Sequence, residues 1–124
     1  MELASLRRDM TAIDGGRWVS ADEVPELRDI RIKARGLGGT EARDALAKMQ
    51  RDGASANEAV QTVINTVCLL DIEGLTSAGK PVAVEDIRDQ LGEPAMEPLA
   101  LLVLKAVEKV DATREAKAEA LAKN

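Results

Sequence analysis

The chain has 124 residues, of which 45% are hydrophobic, and it contains one Trp but no Phe or Tyr. This length indicates a single domain, whose core must be built from aliphatic side chains. The net charge of −5 argues against general attraction to nucleic acid or to an anionic membrane surface.

Residue types that carry common catalytic chemistry are scarce. With no His and one Cys, the chain cannot form a Ser-His-Asp triad, a Cys-His dyad or an intramolecular disulfide. A zinc site would need carboxylate ligands alone, which zinc proteins seldom use. We therefore predict no enzyme, with no catalytic residues, no metal and no cofactor. Cys68 lies in an apolar run and is predicted to be a small buried side chain.

The sequence also predicts a cytoplasmic location. No apolar stretch is long enough to span a bilayer. The first residues lack the apolar segment that is typical of a signal peptide. A single Cys fits a reducing compartment, where disulfides are rare.

The N-terminal part predicts a β-hairpin after the turn signal at residues 14–16. Residues 17–20 are predicted to form a short strand. Residues 30–35 alternate strictly between apolar and cationic side chains, which is typical of a half-buried strand. The apolar positions are Ile30, Ile32 and Ala34, and the cationic positions are Arg31, Lys33 and Arg35. We expect Trp18 to cover part of the apolar face.

The cationic row of this strand, Arg31, Lys33 and Arg35, has two interpretations. It is either a solvated outer face or a surface that binds an acidic partner. A two-stranded hairpin has little stability alone, so it should lie on helices or pair with another chain.

Two helices are predicted after the hairpin. The first covers residues 41–51, with Thr40 as its cap and Gly53 as its stop. Ser55 begins the second with the capping-box pattern S-x-x-E, and this helix is expected to run to about Ile72. Its apolar stripe contains Val60, Val63, Ile64, Val67 and then Leu70 or Asp71.

Two more helices complete the predicted fold. A short one contains Val84, Ile87 and Leu91, and a last one follows Pro98, which fits a first helical turn. Residues 99–110 of the last helix are apolar on most sides, as in a helix that is central or partly covered by a partner.

The predicted fold class is α+β, mostly α, with an N-terminal hairpin and about four helices. Residues 1–112 are predicted as the domain and residues 113–124 as a charged tail. We expect the chain to fray from Asp111 onward. Leu101 and Leu104 lie off the main apolar stripe of the last helix. They are a candidate partner-binding surface, together with Arg31, Lys33 and Arg35.

Residues 74–80 match the spacing G-x-x-x-x-G-K of a phosphate-binding P-loop. A P-loop needs Ser or Thr after the Lys to reach Mg²⁺, and this chain has Pro81 there. The preceding run is read as a helix, whereas a P-loop follows a strand. The segment is therefore predicted to be a surface turn without nucleotide binding.

Three features in this order resemble a known family. They are the hairpin pattern DGGRWVS…RIKARGLG, the stretch LLDIEGLTSAGKPVAVEDI, and a final apolar helix with a charged tail. The combination is similar to the tail assembly chaperones of long-tailed, siphophage-type bacteriophages, over roughly residues 14–112. Two departures are Ile72, where the family usually has an aromatic residue, and residues 84–86, where a capping Ser or Thr is usual.

The resemblance implies a non-enzymatic assembly factor in the host cytoplasm. Such a chaperone holds the tape-measure protein soluble while tail-tube subunits gather on it. The implied partners are therefore the tape-measure protein and the tail-tube protein, with a homo-oligomer left open and no nucleic acid or membrane. Many members are also made in a longer form by a ribosomal frameshift.

Two other classes of protein compete with this interpretation. One is a small structural phage tail or connector protein that self-assembles through its hairpin. The other is a DNA-binding regulator, because two helices joined by a Gly-containing turn have a helix-turn-helix layout. Residues 57–73 contain no Lys or Arg, however, and a recognition helix without cations is disfavoured.

Overall fold

A three-stranded antiparallel sheet lies at the centre of the fold in the computed structural model, which describes residues 1–116. Its strands are β1 (Arg17–Val19), β2 (Arg31–Ala34) and β3 (Leu69–Glu73), with β2 in the middle. The predicted hairpin of β1 and β2 is confirmed. Five helices surround the sheet in the described part of the chain, so the α+β, mostly α class is confirmed as well.

The apolar face of the sheet follows from cross-strand pairing. Val19 pairs with Ile32, and Ile32 pairs with Ile72, so the three side chains form one row across the sheet. Their exposed fractions are 0%, 0% and 4%, which places this row in the core. The predicted alternation of residues 30–35 is confirmed, because Ile32 and Ala34 are buried while Arg31 is exposed.

The third strand corrects the prediction of a helix up to Ile72. The helix α3 covers only Ala56–Val63, a single wide π-helical turn follows at Ile64–Cys68, and the chain then enters β3. The apolar run at residues 67–72 fits a buried helix as well as a strand. Pairing with β2 favours the strand. It gives hydrogen-bond partners to the main-chain groups on the edge of β2 that β1 does not pair with.

Leu70 is an extra residue in the pairing of β2 with β3. Ala34 pairs with Leu69 and Lys33 pairs with Asp71, which leaves Leu70 opposite no residue of β2. A bulge of this kind shifts the side-chain alternation by one position. It explains why Leu69 and Ile72, three residues apart, are both buried.

Trp18 lies on the outer face of the sheet, so its predicted position over the apolar face is wrong. It pairs with Lys33, and directly paired residues share a face. The guanidinium of Arg31 lies 4.6 Å from the centroid of the Trp18 ring. Trp18 is half-buried on this face and makes a cation–π contact with Arg31 there.

A short N-terminal helix, α1 (Met10–Gly15), helps to position the helix α2 (Thr40–Arg51). The helix α1, which the sequence analysis does not predict, is capped by Asp9 and buries Ile13. The helix α2 begins after Gly39, and the Thr40 amide donates a hydrogen bond to Asp14 of α1. The predicted cap at Thr40 is thus wrong, because a side chain from a neighbouring helix takes that role.

The remaining helix boundaries confirm their predicted signals. Gly53 follows α2 with a φ of 95°, a conformation that glycine adopts readily. The Ser55 hydroxyl accepts a hydrogen bond of 3.2 Å from the Glu58 amide at the start of α3. The helix α4 (Val84–Ile87) continues as a 3₁₀ turn, and α5 (Glu97–Asp111) has Pro98 in its first turn.

The helix α5 packs against β1 and β2 and closes the core. Its fully buried residues are Val103, Ala106, Val107 and Val110. Cys68 is also fully buried, as predicted, and this burial raises the pKa of its thiol to about 12. The negative charge of Asp111 acts in the same direction.

The chain that follows α5 is anchored to the N-terminal region. Thr113 is fully buried, Arg114 forms a β-bridge with Arg8, and the Glu115 amide donates a 3.0 Å hydrogen bond to the Arg7 carbonyl. The expectation that the chain frays from Asp111 is therefore wrong for residues 111–115. Residues 117–124 of the predicted tail lie outside the described residues.

Candidate functional site

A groove with a volume of about 670 Å³ runs between α3 and α5. Leu101 and Leu104 of α5 form one wall, and Val60 and Ile64 form the other. Leu101 is 49% exposed, and the other large apolar side chains with high exposure in residues 1–116 all belong to the first ten residues. The groove therefore holds the most exposed large apolar side chain of residues 11–116.

The spacing of residues in α5 explains why this groove exists. The buried positions of α5 face the sheet and occupy one side of the helix. Leu101 and Leu104 are three residues apart, so they share a different side, which points toward α3. Val60 and Ile64 are four residues apart and share one face of the opposite wall. Ile64 is buried, whereas Val60 and Leu104 are only half-buried and Leu101 is exposed.

The far end of the α3 wall is fixed by Arg88. Its guanidinium donates hydrogen bonds to the main-chain carbonyls of Asn65, Thr66 and Leu69, at 3.0, 3.1 and 2.7 Å. These carbonyls belong to the π turn and to the first residue of β3, where regular helical bonding stops. Arg88 thereby ties the groove wall to the segment that follows α4.

The charged residues that line the groove are all acidic. They are Glu93, in the turn before α5, and Glu97, the first residue of α5. Both are exposed, and neither forms an ion pair within residues 1–116. We predict no role for these two residues from the sequence, although residues 89–104 contain acidic residues and no Lys or Arg.

A second groove, of about 700 Å³, lies on the other side of the start of α5. Its aliphatic lining includes Leu75, Val82, Met96, Leu99 and Leu102, all of which are half-buried. It carries one charge of each sign, on Lys80 and Asp86. Although this groove is slightly larger, none of its described lining residues is a large exposed aliphatic side chain, and its two charges cancel.

The cationic row is largely compensated by neighbouring carboxylates. Arg31 pairs with Glu73 at 3.2 Å, and Arg35 pairs with Glu41. Lys33 lies opposite Asp71 in the pairing of β2 with β3. Two of the three cations are thus ion-paired, whereas Lys33 forms no ion pair within residues 1–116.

The predicted partner-binding residues do not form one surface. Arg31 and Lys33 lie on the outer face of β2, whereas α5 covers the inner face, where Ile32 and Ala34 are buried. Leu101 and Leu104 line the groove on the α5 side. The structure therefore brings the two leucines together and separates them from the cationic row.

The segment with P-loop spacing forms a small hairpin. Strand β4 (Thr76–Ser77) pairs with β5 (Lys80–Pro81) through a tight turn in which Ala78 and Gly79 have φ values of 51° and 79°. Positive φ at both central residues is typical of a type I′ turn. The predicted surface turn is confirmed, although a strand, β3, and not a helix precedes it.

Two general features of the described residues bear on function. In residues 1–116, no group of three or more Cys, Asp or Glu side chains is arranged to hold a metal ion. Over the same range, no helix has the length and apolar character needed to cross a membrane.

Comparisons of the chain with models of protein families, with curated proteins and with solved structures gave no match.

Proposed function

We propose that this protein is a non-enzymatic phage tail assembly chaperone. In this role it holds the tape-measure protein soluble in the host cytoplasm and helps to recruit tail-tube subunits. The observation that supports this best is the groove between α3 and α5, where Leu101 is 49% exposed. An amphipathic helix of a client can pack its apolar stripe into such a groove.

The net charge supports the same proposal. A holding chaperone must remain soluble while it keeps an apolar surface accessible. The charge of −5 opposes self-association through the groove, because copies of the chain repel one another. Within residues 11–116, Leu101 is the one large apolar side chain with high exposure, so the exposed apolar surface remains limited.

Co-expression with the tape-measure protein of the same phage tests the proposal. We expect the tape-measure protein to become soluble and to co-purify with the chain. Leu101→Glu should reduce the recovered tape-measure protein, because it places a charge in the groove at a position that tolerates exposure. Leu6→Glu is the matched control, since Leu6 is 61% exposed and does not line the groove.

The alternative is a small structural tail or connector protein that self-assembles through its hairpin. The central strand β2 is already paired on both sides, so such assembly would use the edge strands β1 or β3. β1 has only three residues, and short edge strands pair poorly with other chains. A tape-measure protein that stays insoluble, together with this chain in mature particles, would favour the structural protein.

A further inference from the structure

We infer that the groove between α3 and α5 selects a basic amphipathic helix: one that carries Lys or Arg beside its apolar stripe. This inference names the chemistry of the partner, and it rests on the proposed chaperone function. It comes from the distribution of charge around the groove rather than from the apolar lining.

The acidic and apolar groups of the groove lie on one face of α5. Leu101 follows Glu97 by four residues, and Leu104 follows it by seven, so the three side chains are aligned along the helix. All three line the groove. A helix that packs its apolar stripe on the two leucines therefore places its flanking residues near the Glu97 carboxylate.

No Lys or Arg of the described residues lines this groove. In sequence, the flanking cations are Arg88 and Lys105. Arg88 donates to three main-chain carbonyls, and Lys105 pairs with Glu26 at 3.5 Å. Both cations are thus engaged elsewhere, and a partner can supply the missing positive charge.

Helix stability explains only one of the two carboxylates. Glu97 lies in the first turn of α5, where a negative charge interacts favourably with the helix dipole. Glu93 precedes the 3₁₀ turn Pro94–Met96 and is outside α5. The exposed Glu93 carboxylate lines the same groove, and a purely structural role does not explain it.

A pair of designed peptides tests the inference. Both are fluorescent helices of about 20 residues with the same Leu stripe, flanked by Lys in one and by Glu in the other. Fluorescence anisotropy measures binding at about 0.05 M and about 0.5 M NaCl. We expect the Lys peptide to bind at least about tenfold more tightly than the Glu peptide at low salt, with a smaller ratio at high salt.

Variants locate the binding. Glu93→Gln with Glu97→Gln should weaken binding of the Lys peptide by roughly threefold to tenfold at low salt. Leu101→Ser, which leaves the charge unchanged, should weaken both peptides. The matched control is Glu85→Gln with Glu108→Gln, which removes two exposed carboxylates outside the groove and should leave binding unchanged.

The possible results separate this inference from the proposed function. Equal binding of the two peptides, no binding of either, or equal losses in the Gln variant and its control would overturn the inference. If the inference fails in this way while Leu101→Glu still reduces recovery of the tape-measure protein, the chaperone function stands without the basic-helix specificity. If the Lys peptide binds as expected but the tape-measure protein stays insoluble, the chaperone function fails and the basic-helix specificity remains.

Discussion

Arg17 and Glu23 form a bidentate ion pair with side chains that are only 15% and 14% exposed. The two N–O distances are 2.7 and 3.1 Å. Arg17 also donates a 2.8 Å bond to the Thr113 hydroxyl and a 3.1 Å bond to the Lys109 carbonyl. One side chain of β1 thus joins the loop that follows it to the end of α5.

Arg17→Ala should destabilise the fold by about 3 kcal/mol, because it removes the bidentate pair with Glu23 together with the hydrogen bonds to Thr113 and Lys109. Urea unfolding followed by circular dichroism measures this loss. Arg7→Ala is the control, since Arg7 pairs with Glu115 while 62% exposed, and its cost should be below about 1 kcal/mol. Equal costs for the two variants would contradict the assigned role of Arg17.

Asp111→Ala should also be destabilising, by about 2 kcal/mol, because it removes the acceptor of several hydrogen bonds. The Asp111 carboxylate accepts 2.9 Å bonds from the amides of Leu37 and Gly38 and a 3.2 Å bond from Arg8. Thermal unfolding measures the effect. Glu108→Ala, an exposed carboxylate of the same helix, should change the melting temperature little.

Cys68 should make stability depend on pH in the alkaline range. The pKa of its thiol is about 12 in the folded chain against an ordinary value of 9.0, mainly because burial disfavours the thiolate. The unfolded chain therefore releases this proton at lower pH than the folded chain does. The contribution of Cys68 to stability is complete below pH 9.0 and is lost as the pH rises toward 12.

Unfolding free energies of the wild type and Cys68→Ala, measured from neutral pH upward, test this dependence. The wild type should lose up to about 1.4 kcal/mol per pH unit more than the variant once the pH exceeds 9.0. The native thiol should also react slowly with a thiol reagent until urea unfolds the chain. Parallel pH profiles and rapid labelling of the native protein would both argue against a buried Cys68.

Lys80→Ala should change stability by less than about 0.5 kcal/mol, because Lys80 is an exposed residue of a two-residue strand. ATP and GTP should not shift the melting temperature of the wild type. A nucleotide-dependent shift that disappears in Lys80→Ala would show that the P-loop spacing is functional.

The sequence could predict those elements whose signals are local. The alternation at residues 30–35 depends on a period of two, and the ends of α2 and α3 depend on Gly53 and Ser55. These signals stay correct in the structure because no distant residue overrides them. Leu101 and Leu104 could also be predicted from local sequence, because residues 99–110 contain more large apolar side chains than one helix face can hold.

Elements that depend on distant pairing could not be predicted. The run that forms β3 fits either period, and only β2 decides it. Trp18 faces outward because Val19 pairs with Ile32, a register that the three residues of β1 do not specify. The acidic end of the groove likewise could not be predicted from the sequence, because the sequence does not show that Arg88 bonds to the Leu69 carbonyl or that Lys105 pairs with Glu26.

The π turn at Ile64–Cys68 joins α3 to β3 without a loop, and this fixes the length of the segment. A π turn holds one residue more than an α turn, and such turns are accommodated as insertions in helices. Losing that residue would restore ordinary helix geometry but shift β3 by one position, which exchanges its buried and exposed side chains. A single-residue insertion or deletion in this segment should therefore be more destabilising than a substitution at one of its exposed positions, such as Thr66, which leaves the register of β3 unchanged.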